Sequence, residues 1–101
     1  MRVTFNCMMN CGGGDGSDWD CDIEITEDEF ARLKKAQDSG KEFGECEEVR
    51  DIYMRLFDIA DESATEDLLD YDCDFQEEYE ENENIKASHL YSISVEYPYQ
   101  V

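Results

Sequence analysis

Carboxylates are the side chains this sequence offers in quantity. Of its 101 residues, 28 are Asp or Glu against 8 Lys or Arg, a formal charge of −20. Asp18, Asp20, Asp22 and Glu24 occupy every second position of one segment, Asp70, Asp72 and Asp74 repeat that pattern in another, and Glu77, Glu78, Glu80 and Glu81 follow closely. Carboxylates so arranged can serve acid and base catalysis, coordinate a hard cation, or engage a cationic partner. The three uses demand different company for the acids.

Catalysis needs carboxylates set apart from their neighbours and usually a nucleophile or imidazole beside them. The chain has one histidine, His89, no Ser-His or Cys-His arrangement recognisable by spacing, and no cofactor motif. An enzyme is not expected, and His89 reads as an ordinary residue at the start of the last strand. For calcium, Asp18, Asp20, Asp22, Ile25 and Glu29 fall at positions 1, 3, 5, 8 and 12 of an EF-hand loop, with Phe30 following. The sixth position, which needs glycine for its sharp turn, is Ile23, and the preceding segment is Gly-rich where a helix is required. A strand accounts for the same residues better. Cys7, Cys11 and Cys21, with Cys46, Cys73 or His89, give a loose zinc pattern with only one close pair. Five cysteines is an odd number, and reduced thiols used as small apolar residues are the simpler reading. Gly12, Gly13, Gly14, Asp15 and Gly16 lack the Lys and Ser or Thr of a phosphate loop, so they read as a turn. No metal site and no cofactor are expected, and a calcium- or zinc-binding module stands third among the functional readings.

The third use of the carboxylates depends on where the charge sits. Residues 15–29 hold 8 acids and no base, and residues 58–83 hold 13 acids and no base, whereas Arg32, Lys34, Lys35, Lys41, Arg50 and Arg55 lie in the middle. Those bases can pair locally with Asp38, Glu42, Glu45, Glu47, Glu48 and Asp51. Aspartate is disfavoured in strands and like charges on neighbouring strands repel, so acids placed there work against folding. One face of a strand repeats every ~6.6 Å, a spacing of the same order as that of phosphates on a strand rising ~3.4 Å per nucleotide before its travel around the helix is added. Tyr71, Tyr79, Tyr97 and Tyr99 add flat contact area. Direct binding of DNA, RNA or an anionic membrane is disfavoured by the same charge.

In composition the chain resembles the DNA-mimic inhibitors carried by phages and mobile elements, including anti-restriction and anti-CRISPR proteins. That resemblance implies a basic protein partner, one that itself binds nucleic acid. The expected contact is Asp18, Asp20, Asp22, Glu24, Asp70, Asp72, Asp74, Glu77, Glu78, Glu80 and Glu81. The alternative is a generic acidic bacterial α+β domain with a structural or unassigned interaction role, its charge serving only as a solvated face.

The elements that must position these acids follow from periodicity. Val3, Phe5 and Cys7 alternate with polar residues, a strand over about residues 2–9. The Gly-rich run at 11–17 reverses the chain, and Trp19, Cys21, Ile23 and Ile25 alternate with Asp18, Asp20, Asp22 and Glu24 as a second strand. Thr26 and Glu29 form a capping box that starts a helix, with Gly40 as its terminator. A second helix over about residues 45–62 buries Val49, Ile52, Tyr53, Leu56, Ile59 and Ala60. From Ser63 two readings compete. Leu68, Tyr71, Phe75 and Tyr79 suit one stripe of a long helix, while Leu69, Tyr71, Cys73 and Phe75 alternate with Asp70, Asp72 and Asp74 as a strand. A helical turn at 64–68 followed by that strand is preferred, leaving 77–84 as an exposed acidic connection. Tyr91, Ile93, Val95 and Tyr97 form the last strand, with Pro98 closing an edge.

The fold expected is therefore one α+β domain over residues 1–101, an antiparallel sheet of three or four strands with two helices on one face, in ββααββ or ββαααβ order. The first residues lack a signal-peptide pattern, and the cytoplasm is the expected compartment.

Overall fold

A computed structural model describes residues 1–10 and 16–98. The turn expected at 11–17 lies, for residues 11–15, outside the described residues. Its flanks form the expected hairpin: β1 (Arg2–Asn10) pairs antiparallel with β2 (Gly16–Glu24), Val3 opposite Ile23 and Phe5 opposite Cys21. On its other side β1 pairs antiparallel with β3 (Ser92–Glu96), Cys7 opposite Val95, so the sheet order is β2-β1-β3. Three strands with helices on one face make an α+β fold.

Strand alternation sorts the sheet into two faces. Val3, Phe5, Cys7, Met9, Cys21, Ile23, Ile93 and Val95 are buried on one, and the other carries Arg2, Thr4, Asn6, Met8, Asp18, Asp20, Asp22, Glu24 and Glu96. The helices pack on the apolar face. Helix α1 (Glu27–Asp38) begins at the Thr26 capping box, whose hydroxyl accepts from the Glu29 amide at 3.1 Å while the Glu29 carboxylate accepts from the Thr26 amide at 2.9 Å. Gly40, at φ +78°, takes the left-handed turn after it. Two 3₁₀ turns, Phe43–Glu45 and Glu47–Val49, lead into α2 (Arg50–Tyr71). Helix α2 packs along β3.

The segment after Ser63 corrects the sequence reading. Helix α2 runs on to Tyr71, and α3 (Cys73–Glu81) follows where a strand and an exposed connection were expected. The apolar stripe simply continues at intervals of four, Ala60, Ala64 and Leu68 all being buried. The alternation at 69–75 is not an inside-outside pattern: Tyr71 is 64% exposed and Cys73 is exposed, whereas Phe75 is fully buried. The two helices separate at Asp72, whose backbone is extended and whose carboxylate accepts from the Phe75 amide at 3.1 Å as the cap of α3. His89 is corrected too. It lies in a one-turn helix α4 (Ala87–Leu90), where its Nδ1 accepts from the Lys86 amide at 2.9 Å. Three hydrogen bonds hold α4 against α2: the Thr65 hydroxyl accepts from the Ala87 amide at 2.8 Å, and the Asp61 carboxylate accepts from the Ser88 amide and hydroxyl at 2.8 and 2.7 Å. Among the described residues, no helix is long and apolar enough to cross a membrane.

Candidate functional site

The eleven acids singled out from the sequence fall on two opposite sides of the molecule. Asp18, Asp20, Asp22 and Glu24 stand exposed on β2, on the sheet face away from the helices. Asp70, Asp74, Glu77, Glu78, Glu80 and Glu81 are exposed on α2 and α3, in the helical layer. The expected strand ladder of Asp70, Asp72 and Asp74 does not exist, because those residues span a helix-helix junction. Asp72 is also occupied structurally. Besides capping α3, its second carboxylate oxygen accepts from the Tyr91 hydroxyl at 2.9 Å.

Carboxylates on β2 are partly neutralised by the register. Arg2 lies opposite Glu24 and its Nε is 3.7 Å from Asp22, the Met1 ammonium is 3.5 Å from Glu24, and the Thr4 hydroxyl donates to Asp22. Extended backbone also spaces Asp18, Asp20 and Asp22 ~6.6 Å apart along one line, so they do not converge on a cation as an EF-hand loop would.

The helical acids are different. Thirteen carboxylates lie in residues 58–83; Asp61 and Asp72 hold the fold together, and the other eleven are exposed. Among the described residues none of these forms an ion pair. Four of them, Asp58, Glu62, Glu66 and Asp70, follow one another at intervals of four along α2. Each stands two residues from the buried stripe of Leu56, Ala60, Ala64 and Leu68, about 200° around a helix of ~3.6 residues per turn, and so points straight outward. The row spans about 18 Å at ~1.5 Å per residue. On α3, Asp74, Glu77, Glu78 and Glu81 share one face at i, i+3, i+4 and i+7, beside the buried Phe75. Sequence reasoning missed Asp58, Glu62 and Glu66. Their fourfold spacing, matched by Ala60, Ala64 and Leu68, was the available signal.

This ridge burdens the helices that carry it. Like charges at i, i+4 cost ~0.2–0.5 kcal/mol each, and neither α2 nor α3 has a base in its last turn to complement the helix dipole. The bases work elsewhere, tying α1 to the start of α2. Arg32 donates to both carboxylate oxygens of Asp51 at 2.9 and 3.2 Å and to the Glu48 carbonyl, and Arg55 donates to Glu29 at 2.8 Å. The Arg32 guanidinium holds the Asp51 carboxyl below its ordinary range, and the Thr26 amide, then Arg55, do the same for Glu29.

Three of the cysteines serve the core. Cys7, Cys21 and Cys46 are buried and unbridged, and burial, reinforced by Cys21 beside it, pushes the Cys7 thiol up to about 12. A thiol so reluctant to ionise is a poor metal ligand. Among the described residues no group of three or more His, Cys, Asp or Glu is placed to hold a metal ion; Cys11 lies outside them.

A separate concavity of about 580 Å³ lies beside the free edge of β3, between that strand, the turn at 42–44 and Tyr53 of α2. It sits on an aromatic cluster in which Phe43 stacks on Tyr97 (centroids 4.9 Å apart, planes 12°) and meets Tyr53 edge-on (5.2 Å, 75°). Gly44 lies against the Tyr53 ring, where an added Cβ would come within 3.2 Å of it. The Tyr97 hydroxyl donates to the Lys41 carbonyl at 2.9 Å.

No family model, curated protein or solved structure matches this chain.

Proposed function

We propose that the protein is a non-catalytic binding protein of the DNA-mimic type, which presents the α2–α3 ridge to the basic, nucleic-acid-gripping surface of another protein. One observation carries this reading: a row of exposed carboxylates, none ion-paired among the described residues, set along a single helix opposite its buried stripe. A helix places successive row members ~6 Å apart, four residues at ~1.5 Å, and an 18 Å row matches about five nucleotides at a rise of ~3.4 Å. The ridge thus replaces the expected strand ladder as the phosphate-like element. A rigid helix presents it without an ordering cost at binding. The partner is a basic protein, the target is not nucleic acid or membrane itself, and the cytoplasm, where free thiols persist, is the compartment that suits it.

Competition tests the reading. Nucleases, repressors and CRISPR effectors are loaded with labelled duplex, the protein is titrated in, and DNA release is followed at several salt concentrations. Release from at least one of them, weakening as salt rises, is expected; retention of DNA by all of them at low salt refutes the proposal.

A further inference from the structure

We propose that the concavity beside β3 is a receptor for an arginine side chain of the partner. Among its lining residues are two glutamates, Glu42 and, on the β3 edge, Glu96, together with Tyr53, Tyr97 and the buried Phe43, and none is Lys or Arg. Among the described residues neither glutamate has a cationic partner. A concavity of about 580 Å³ falls within the range of clefts that take small-molecule ligands, ~300–1,000 Å³. Aromatic faces and carboxylates together select one kind of guest. A guanidinium is planar, weakly hydrated, stacks on rings and donates in a fork to carboxylates, whereas a lysine ammonium is a strongly hydrated point charge. Tyr53 and Tyr97 are suited to the role of walls because both remain neutral phenols; burial raises each hydroxyl above its ordinary range. The cluster is also held rigid, by the Phe43 stack, the Gly44 approach to Tyr53 and the Tyr97 hydrogen bond to the turn.

This inference rests on the reading that the partner is a basic protein, but its test needs no partner. The ¹⁵N-labelled protein is titrated with the tripeptide Gly-Arg-Gly, its lysine and citrulline counterparts, and agmatine, which carries the guanidinium without a peptide backbone. Expected are saturable shifts at Gly44, Tyr53 and residues 94–97 with the arginine peptide, at least threefold weaker binding of the lysine peptide, and none of the citrulline peptide. In E42Q/E96Q, whose dispersed spectrum reports folding, arginine binding falls at least fivefold. Shifts absent from the pocket, arginine and lysine peptides binding equally, undiminished binding in E42Q/E96Q, or agmatine bound while the arginine peptide is excluded each overturn the proposal. The DNA-release experiment stands or falls separately, because it reads the ridge.

Discussion

The β2 strand and the α2–α3 ridge carry acids at similar density, yet their surroundings differ. On β2 the neighbouring strand supplies Arg2 and Thr4, and the Met1 ammonium reaches Glu24, so half of the quartet has a partner. Along the ridge the neighbours are more carboxylates. Asp61 and Asp72 are the exceptions, turned inward to hold α4, α3 and Tyr91. Acidity is thus a poor guide to role: three settings in one small protein give a half-paired strand, a repelling ridge and two structural anchors. A repelling surface, in a chain whose bases are spent elsewhere, is the surface on which the proposed contact with a basic partner would rest.

That contrast can be broken by mutation, and the largest effect belongs to the ridge. In D58N/E62Q/E66Q/D70N, affinity for a DNA-binding partner should fall on the order of 100-fold, about 2.8 kcal/mol at ~1.4 kcal/mol per tenfold. The same variant should melt higher, since three like-charge pairs at ~0.2–0.5 kcal/mol each are removed. Next in size is Asp72→Ala, with the opposite sign for stability. Loss of a cap, worth ~1 kcal/mol, and of a half-buried hydrogen bond to Tyr91, worth ~0.5–1.5 kcal/mol, should destabilise by about 2 kcal/mol in urea unfolding. A stability equal to wild type would show that the junction does not depend on that carboxylate. Smaller still, D18N/D20N on the strand should change affinity less than about threefold, because these carboxylates lie on the face away from the ridge and act on the partner only through salt-screened solvent.

The smallest effect is in pH dependence. Glu29 and Asp51 titrate below the ordinary range when folded, so their pairing contributes above the unfolded carboxylate value of about 4 and is lost as pH falls through the folded value. E29Q and D51N should each be less stable than wild type at pH 7 by less than ~1 kcal/mol, these being surface pairs whose arginines are exposed. Below about pH 4 the gap should close. A gap that persists in acid means the side chains contribute by packing and not by charge.

Much of this architecture is legible in the sequence because strands with one buried face announce themselves. Val3, Phe5 and Cys7, or Trp19, Cys21 and Ile23, cannot be helical without exposing half their apolar area. Thr26 and Glu29 mark a helix start equally well. The region after Ser63 is misleading because Leu69, Tyr71, Cys73 and Phe75 alternate with aspartates, while the helical stripe that overrides them rests on Ala60 and Ala64, residues with little apolar weight. Asp72 supplies the break as a cap, which leaves no periodic trace. Of the site, the strand quartet is legible as a row, but its neutralisation depends on the register that sets Arg2 opposite Glu24. The aromatic concavity draws on residues from Gln37 to Pro98 and exists only once the chain is folded.

Central to the account is that the ridge, and not the strand, meets the partner. The direct measurement is DNA release from one responsive DNA-binding protein by wild type, D58N/E62Q/E66Q/D70N and D18N/D20N, side by side at fixed salt. The ridge variant should lose nearly all releasing activity while remaining folded and more heat-stable, with the strand variant close to wild type. A strand variant that fails, or a ridge variant that still releases DNA fully, contradicts the account.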